Sequence, residues 1–181
     1  MMLPVLSASP LRAVLIAVAL TTLTVLTVLA VPAATAVPAA TGVPSPHART
    51  GALARVEARL VDHLDDARRR PGCRALRPRA ALHTTAAGHS GAMARHGELT
   101  HQVPGEPALR ERIAAAGYPG AARMGEVVAV GPRSARGVLR RWLASPPHRA
   151  LLLDCAMRLV GVAVHAEAGR SWWTVDLVRR R

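Results

Sequence analysis

The segment Met124–Asp154, MGEVVAVGPRSARGVLRRWLASPPHRALLLD, constrains the fold more than any other stretch of the chain. Its first part, Met124 to Val130, is a short apolar run rich in β-branched residues and reads as a buried strand or extended segment. Glu126 is its only charge. A carboxylate in that position must reach a groove or find a cation, because burying it unpaired costs too much. Ser134 can then cap a helix whose inner face is Val138, Leu139, Trp142 and Leu143. Pro146-Pro147 ends that helix, and His148-Arg149 opens the next turn. One buried acid and one turn histidine are therefore built into the same short piece of chain.

The N-terminal end has a different character. Met1 to Arg12 carries one charge, Arg12, and is followed by the uncharged run Ala13 to Val31 and a cluster of small residues. This is an export signal, with Ala34-Thr35-Ala36 as an A-x-A cleavage site. The reading assigns residues 1–36 to a signal peptide; the alternative is an uncleaved membrane anchor through residues 13–31, which are just long enough to span a bilayer. Residues 37–52 are rich in Pro, Ala, Gly and Thr without periodicity and read as a disordered linker. Residues 53–181 make one domain of ordinary size.

Within that domain Leu53, Val56, Leu60, Leu64 and Ala67 recur at helical spacing, and Pro71-Gly72 stops the helix. Arg68 to Arg70 suit its C-terminal dipole and read as a solvated helix end. A second helix, from about Arg79 to Arg95, puts Leu82, Ala86, His89 and Met93 on one face; His89 reads as structural. Pro107 suits the start of a third, short helix with Leu109 and Ile113 inward and Gly117 at its end. Two strands close the chain, Leu159 to His165 and Ser171 to Val178, joined by a short Gly-containing loop. In the last strand Trp173, Val175 and Leu177 point one way and Trp172, Thr174 and Asp176 the other, with Trp172 expected to be the more tolerant tryptophan. A hairpin rather than a crossover at the end implies antiparallel pairing covered by helices.

The chain has two cysteines, Cys73 and Cys155. In an exported protein they have one intramolecular pairing, a disulfide closing a long loop; two buried free thiols are the alternative. Neither belongs to a C-x-x-C pair, which argues against a redox or metal role. The formal charge of +13 comes entirely from arginine, since the sequence has no lysine. Such a chain is drawn to anionic cell-surface polymers. Nucleic acid is disfavoured as a partner, because the basic residues are not interleaved with aromatics, of which there are only Tyr118, Trp142, Trp172 and Trp173.

Several of these pieces together resemble the CAP superfamily, the cysteine-rich secretory, antigen 5 and pathogenesis-related domain, in its compact bacterial form. The resemblance rests on Thr100-His101, Gly125-Glu126-Val127 in place of Gly-Glu-Asn, the Trp142 helix, Ser145-Pro146-Pro147-His148-Arg149, and Trp172-Trp173-Thr174 in the closing strand. It implies an α+β fold, a three-layer α-β-α sandwich with a small antiparallel sheet between helices. It also implies that His101, Glu126 and His148 converge in a central groove, as members of the family's tetrad. Two histidines and a glutamate form an open three-ligand set for zinc or another divalent metal. The tetrad's second acid has no counterpart near the Trp142 helix, where Arg140, Arg141, Ala144 and Ser145 stand. The expected function is a secreted, monomeric binding domain whose groove takes a lipid, glycan or peptide. The alternatives are a metal-dependent hydrolase and an arginine-rich, wall-associated structural module.

Overall fold

The computed structural model describes residues 46–181; the expected export signal or anchor in residues 1–36 and the expected linker up to residue 45 lie outside the described residues. Nine elements follow in order: α1 (Pro46–Arg69), β1 (Arg77–Pro78), α2 (Ala80–His96), α3 (Leu109–Ala115), β2 (Arg123–Val130), α4 (Ala135–Ala144), α5 (Pro146–Leu152), β3 (Leu159–Glu167) and β4 (Arg170–Arg179). Helix α1 opens at Pro46, so it takes in residues 46–52 that the composition assigns to the linker. No helix among the described residues is long and apolar enough to cross a membrane.

The sheet has the order β1-β3-β4-β2. Strand β4 pairs antiparallel with β3 on one side and with β2 on the other, whereas two-residue β1 runs parallel to β3. The sheet is thus mixed by one short strand and otherwise antiparallel, as a terminal hairpin requires. Only Ala168 and Gly169 separate β3 from β4, both at positive φ, the left-handed conformation that a two-residue turn needs to match strand twist.

Helices cover both faces. Leu60 and Leu64 of α1 and Val138, Leu139 and Trp142 of α4 pack on Val127, Val162, Trp173, Val175 and Leu177 in the larger core. On the opposite face Met93 of α2 packs with Val128 and Trp172, and Leu82 and Ile113 pack with Leu159 and Val178. The alternation of β4 is as its sequence predicts, but its second face is not the tolerant one. Trp172 is only 2% exposed, because α2 lies over it. The Arg170 guanidinium stacks over its ring at 4.8 Å from the centroid.

The two layers approach closely at two glycines. A side chain on Gly161 would lie 2.2 Å from the carbonyl of Leu82, so α2 rests directly on the β3 backbone. A side chain on Gly125 would collide with the isobutyl group of Leu151 in α5. Helix α5 has prolines at its first two positions, where their missing N–H groups are not needed, and Pro146-Pro147 therefore starts a helix as it ends the preceding one.

Cys73 and Cys155 form a disulfide, with their Cα atoms 4.8 Å apart. Arg68 departs from its sequence reading as a solvated helix end. It is fully buried and donates to the carbonyls of Leu152 (2.6 Å), Asp154 (3.1 Å) and Met157 (2.8 Å). Those carbonyls begin at the last residue of α5, where helical pairing runs out, and the guanidinium fork supplies donors there, adding to the Met157 N–H that the Asp154 carbonyl already accepts at 3.0 Å.

Candidate functional site

Three elements converge on the α2/α3 face of the sheet. Glu126 lies in the middle of β2, on the strand face opposite Val127 and Ala129, so its side chain points toward α2 and α3. His89 stands one turn before Met93 on the buried face of α2. Arg112 sits on the inner side of α3 beside Ile113. His101 comes from the loop after Gly97, whose left-handed conformation ends α2.

Glu126 is the centre of the cluster. One carboxylate oxygen meets Nδ1 of His101 at 2.9 Å, and the other accepts from Arg112 at 2.9 Å. Its side chain is 1% exposed, so burial alone would raise its pKa. The hydrogen bond from His101 and then the charge of Arg112, with further help from His89, outweigh that and hold it below the ordinary glutamate value. The expectation that this acid would find a cation is met by Arg112.

Behind Glu126 lies a second layer. His89 is fully buried, with Nδ1 2.7 Å from Glu106 and Nε2 3.0 Å from the carbonyl of Thr100 and 3.6 Å from Glu126. Both ring nitrogens face oxygen atoms, so the ring is held from two sides. Arg112 also bonds the carbonyls of Pro107 and His101, at 3.2 and 3.4 Å. Two carboxylates, Glu106 and Glu126, thus share Arg112 and His89 as partners, and these four residues clamp the loop that carries His101.

The register of β2 and β4 sets Asp176 directly opposite Glu126. Asp176 is completely buried, and neither carboxyl oxygen has a hydrogen-bond partner among the described residues. Its pKa is pushed well above the ordinary value, by burial first and then by the charge of Glu126. The cluster therefore holds a third acid beside Glu126 and Glu106, supplied by the closing strand rather than by the Trp142 helix, and its burial favours the protonated form.

His101 is the exposed member, with 57% of its side chain accessible. His148, third residue of α5, is half-buried, and its pKa is lowered by burial and then by the charge of nearby His101. The structure thus places His101 on Glu126 and His148 in electrostatic reach of His101. As a metal centre the trio does not fit: both Glu126 oxygens are engaged by His101 and Arg112, and among the described residues no group of three or more His, Cys, Asp or Glu side chains is arranged to hold a metal ion. A groove of about 770 Å³ lies against the same cluster, with His89, Glu106 and Arg112 in its wall and Val103 and Ala92 as apolar neighbours; His101, Glu126 and His148 are not among its lining residues.

His89, Arg112 and Asp176 are not legible as site residues although each carries the same signal, and loop residue Glu106 carries none. Arg112 falls in the apolar series Leu109, Ile113 and Ala116, His89 falls between Ala86 and Met93, and Asp176 interrupts Val175 and Leu177. A charge or imidazole at a core-facing position has to be answered by a partner. Only Glu126 was read that way from the sequence.

Known proteins agree with this architecture. An extracellular protein of Bacillus anthracis containing an SCP domain superposes with a TM-score of 0.70 at 23% identity, over 77% of this chain and 45% of that one. An outer surface protein of Borrelia burgdorferi gives 0.64 at 18% identity, over 70% and 94%. A cysteine-rich secretory protein of Staphylococcus aureus gives 0.59 at 17% identity, over 71% and 39%. At these identities the likeness is one of fold, and this chain spans less than half the length of the first and third. No curated protein matches it by sequence. The model of the cysteine-rich secretory protein family matches residues 61–177, from the middle of α1 almost to the end of β4. By that match, which takes in nearly the whole sheet and the His101, Glu126 and His148 positions, the chain belongs to the cysteine-rich secretory protein (CAP) family.

Proposed function

We propose that the chain is an exported binding domain whose ligand, a lipid, glycan or peptide, docks on the rim formed by His101 and His148. The observation that carries this reading is the way His101 is held. Its Nδ1 is committed to a buried carboxylate, so the ring is fixed in orientation and Nε2 is left on the accessible side as a hydrogen-bonding group. His148 stands beside it, and its lowered pKa favours the neutral imidazole, which can donate and accept at once. Glu126 is buried and charge-balanced, which suits a fixed support better than a base that must take a proton during turnover. Export is supported by the leader and by similarity to proteins described as extracellular or as outer surface proteins.

Native mass spectrometry of protein purified from the secreted fraction tests the reading. A small-molecule adduct on the wild type that disappears from the His101→Ala/His148→Ala variant is the expected result. An adduct retained by both proteins would move the site elsewhere, and a wild type that takes up no component of its own culture medium would remove the proposal.

A further inference from the structure

At the end of the sheet where β1, β3 and β4 meet, five arginines line one pocket of about 370 Å³: Arg74, Arg77, Arg158, Arg179 and Arg180. No carboxylate shares its wall. Elsewhere several arginines are answered: Arg69 pairs with Asp66, Arg112 with Glu126, and Arg123 with Asp154. Among the described residues none of the five forms an ion pair, and the Nε of half-buried Arg158 has no hydrogen-bond partner.

The backbone under this pocket is fixed. Arg77 donates its N–H to the carbonyl of Arg158 at 2.8 Å, and Arg158 donates to the carbonyl of Val178 at 3.1 Å, so three chain segments are stitched together beneath the guanidinium groups. Arg74 follows directly on Cys73, whose disulfide to Cys155 holds it beside Ala156. Five like charges held close on a rigid frame repel one another unless an anion lies between them. Guanidinium forks match the oxygens of phosphate in pairs, and a single tetrahedral anion would leave most of five forks unused.

We propose that this pocket is an anion site for a ligand carrying linked phosphate groups. It lies apart from the His101 rim and does not depend on the binding reading given above. Titration calorimetry on the disulfide-intact protein, with tripolyphosphate and orthophosphate as probes, tests it. Tripolyphosphate should bind saturably and about tenfold or more tighter than orthophosphate, as expected when several charge-assisted pairs form at once. The Arg74→Gln/Arg77→Gln/Arg179→Gln variant should lose roughly tenfold or more of that affinity, while Arg136→Gln/Arg140→Gln/Arg149→Gln, which removes the same charge from helices α4 and α5, should stay within about twofold. All six side chains are exposed, so both variants should fold; should the first not, Arg77→Gln/Arg179→Gln carries the comparison. Equal losses in the two variants would reduce the effect to net charge and overturn the site, as would non-saturable binding of tripolyphosphate to the wild type.

Discussion

Glu126 and Asp176 face one another across the β2–β4 ladder, the first with its pKa held down by its partners and the second with its pKa pushed up by its surroundings. Two acids on adjacent strands can share so small a buried space only if one of them keeps its proton. The division follows from what each touches: Glu126 has Arg112 and His101, and Asp176 has neither.

That division makes stability depend on pH with a definite sign. Between about pH 4 and its raised folded pKa, Asp176 keeps a proton that the unfolded chain has lost. The unfolded state then binds fewer protons, so this group's contribution falls as pH rises from that value through the raised folded pKa. Asp176→Asn removes the ionisation and should be neutral to stabilising at pH 7, with its advantage fading as pH approaches 4. Urea unfolding of both proteins at a series of pH values reads this, and a variant equally destabilised at every pH would show that the Asp176 pKa is not raised in the fold.

Arg112→Met should have the opposite consequence. It leaves buried Glu126 without its guanidinium partner, a loss of about 3–5 kcal/mol at neutral pH for a buried pair broken on one side. Glu126 stabilises the wild type above the ordinary glutamate pKa, and that contribution is lost as pH falls through its lower folded value. The difference between wild type and variant should therefore shrink in acid. Adding Glu126→Gln to the variant should recover part of the loss at pH 7, which a packing defect alone would not allow.

How much of this was open to sequence reading can be judged from single residues. Trp142 and Leu139 were placed correctly because helical spacing alone selects the face that meets the sheet. The break before His148 and the β-branched strand around Glu126 are marked plainly in the sequence, but only the family resemblance brings His101, Glu126 and His148 into one groove. Arg112 and His89 were missed because charged and imidazole side chains on a mostly apolar face can be explained one at a time, and only the folded chain shows that they answer each other. Arg68 was misread for a related reason: its partners are backbone carbonyls more than eighty residues away, which carry no signature of residue type. Two-residue β1 is too short for any periodicity to reveal.

The two tryptophans of β4 and α4 should behave alike. Trp142 and Trp172 are 1% and 2% exposed, on opposite faces of the sheet. Either one replaced by Ala should cost roughly 3–5 kcal/mol, measured as a shift in the denaturation midpoint at constant slope. A loss under about 1 kcal/mol at Trp172 would mean that α2 does not cover it as described.

Glycines in and against α2 offer a paired test of packing. Gly161→Ala would drive a methyl group into the Leu82 carbonyl and should destabilise by about 1–3 kcal/mol or more. Gly88 is helical, exposed and free of neighbours within 4 Å. Gly88→Ala should instead stabilise by about 0.5–1 kcal/mol through helix propensity. Thermal unfolding of the two variants should move in opposite directions.

The segment that leads from α5 into β3 looks vulnerable on paper, being irregular and containing Arg158. Arg68 grips it through three carbonyls, Cys155 ties it to Cys73, and Asp154 is bound both by Arg123 and by the N–H of Ala156. A protease needs a stretch of chain that can be drawn out into its cleft, and this one has no slack to give. In a medium that contains secreted proteases, the bond after Arg158 is one that a trypsin-like enzyme could recognise by sequence and yet not reach.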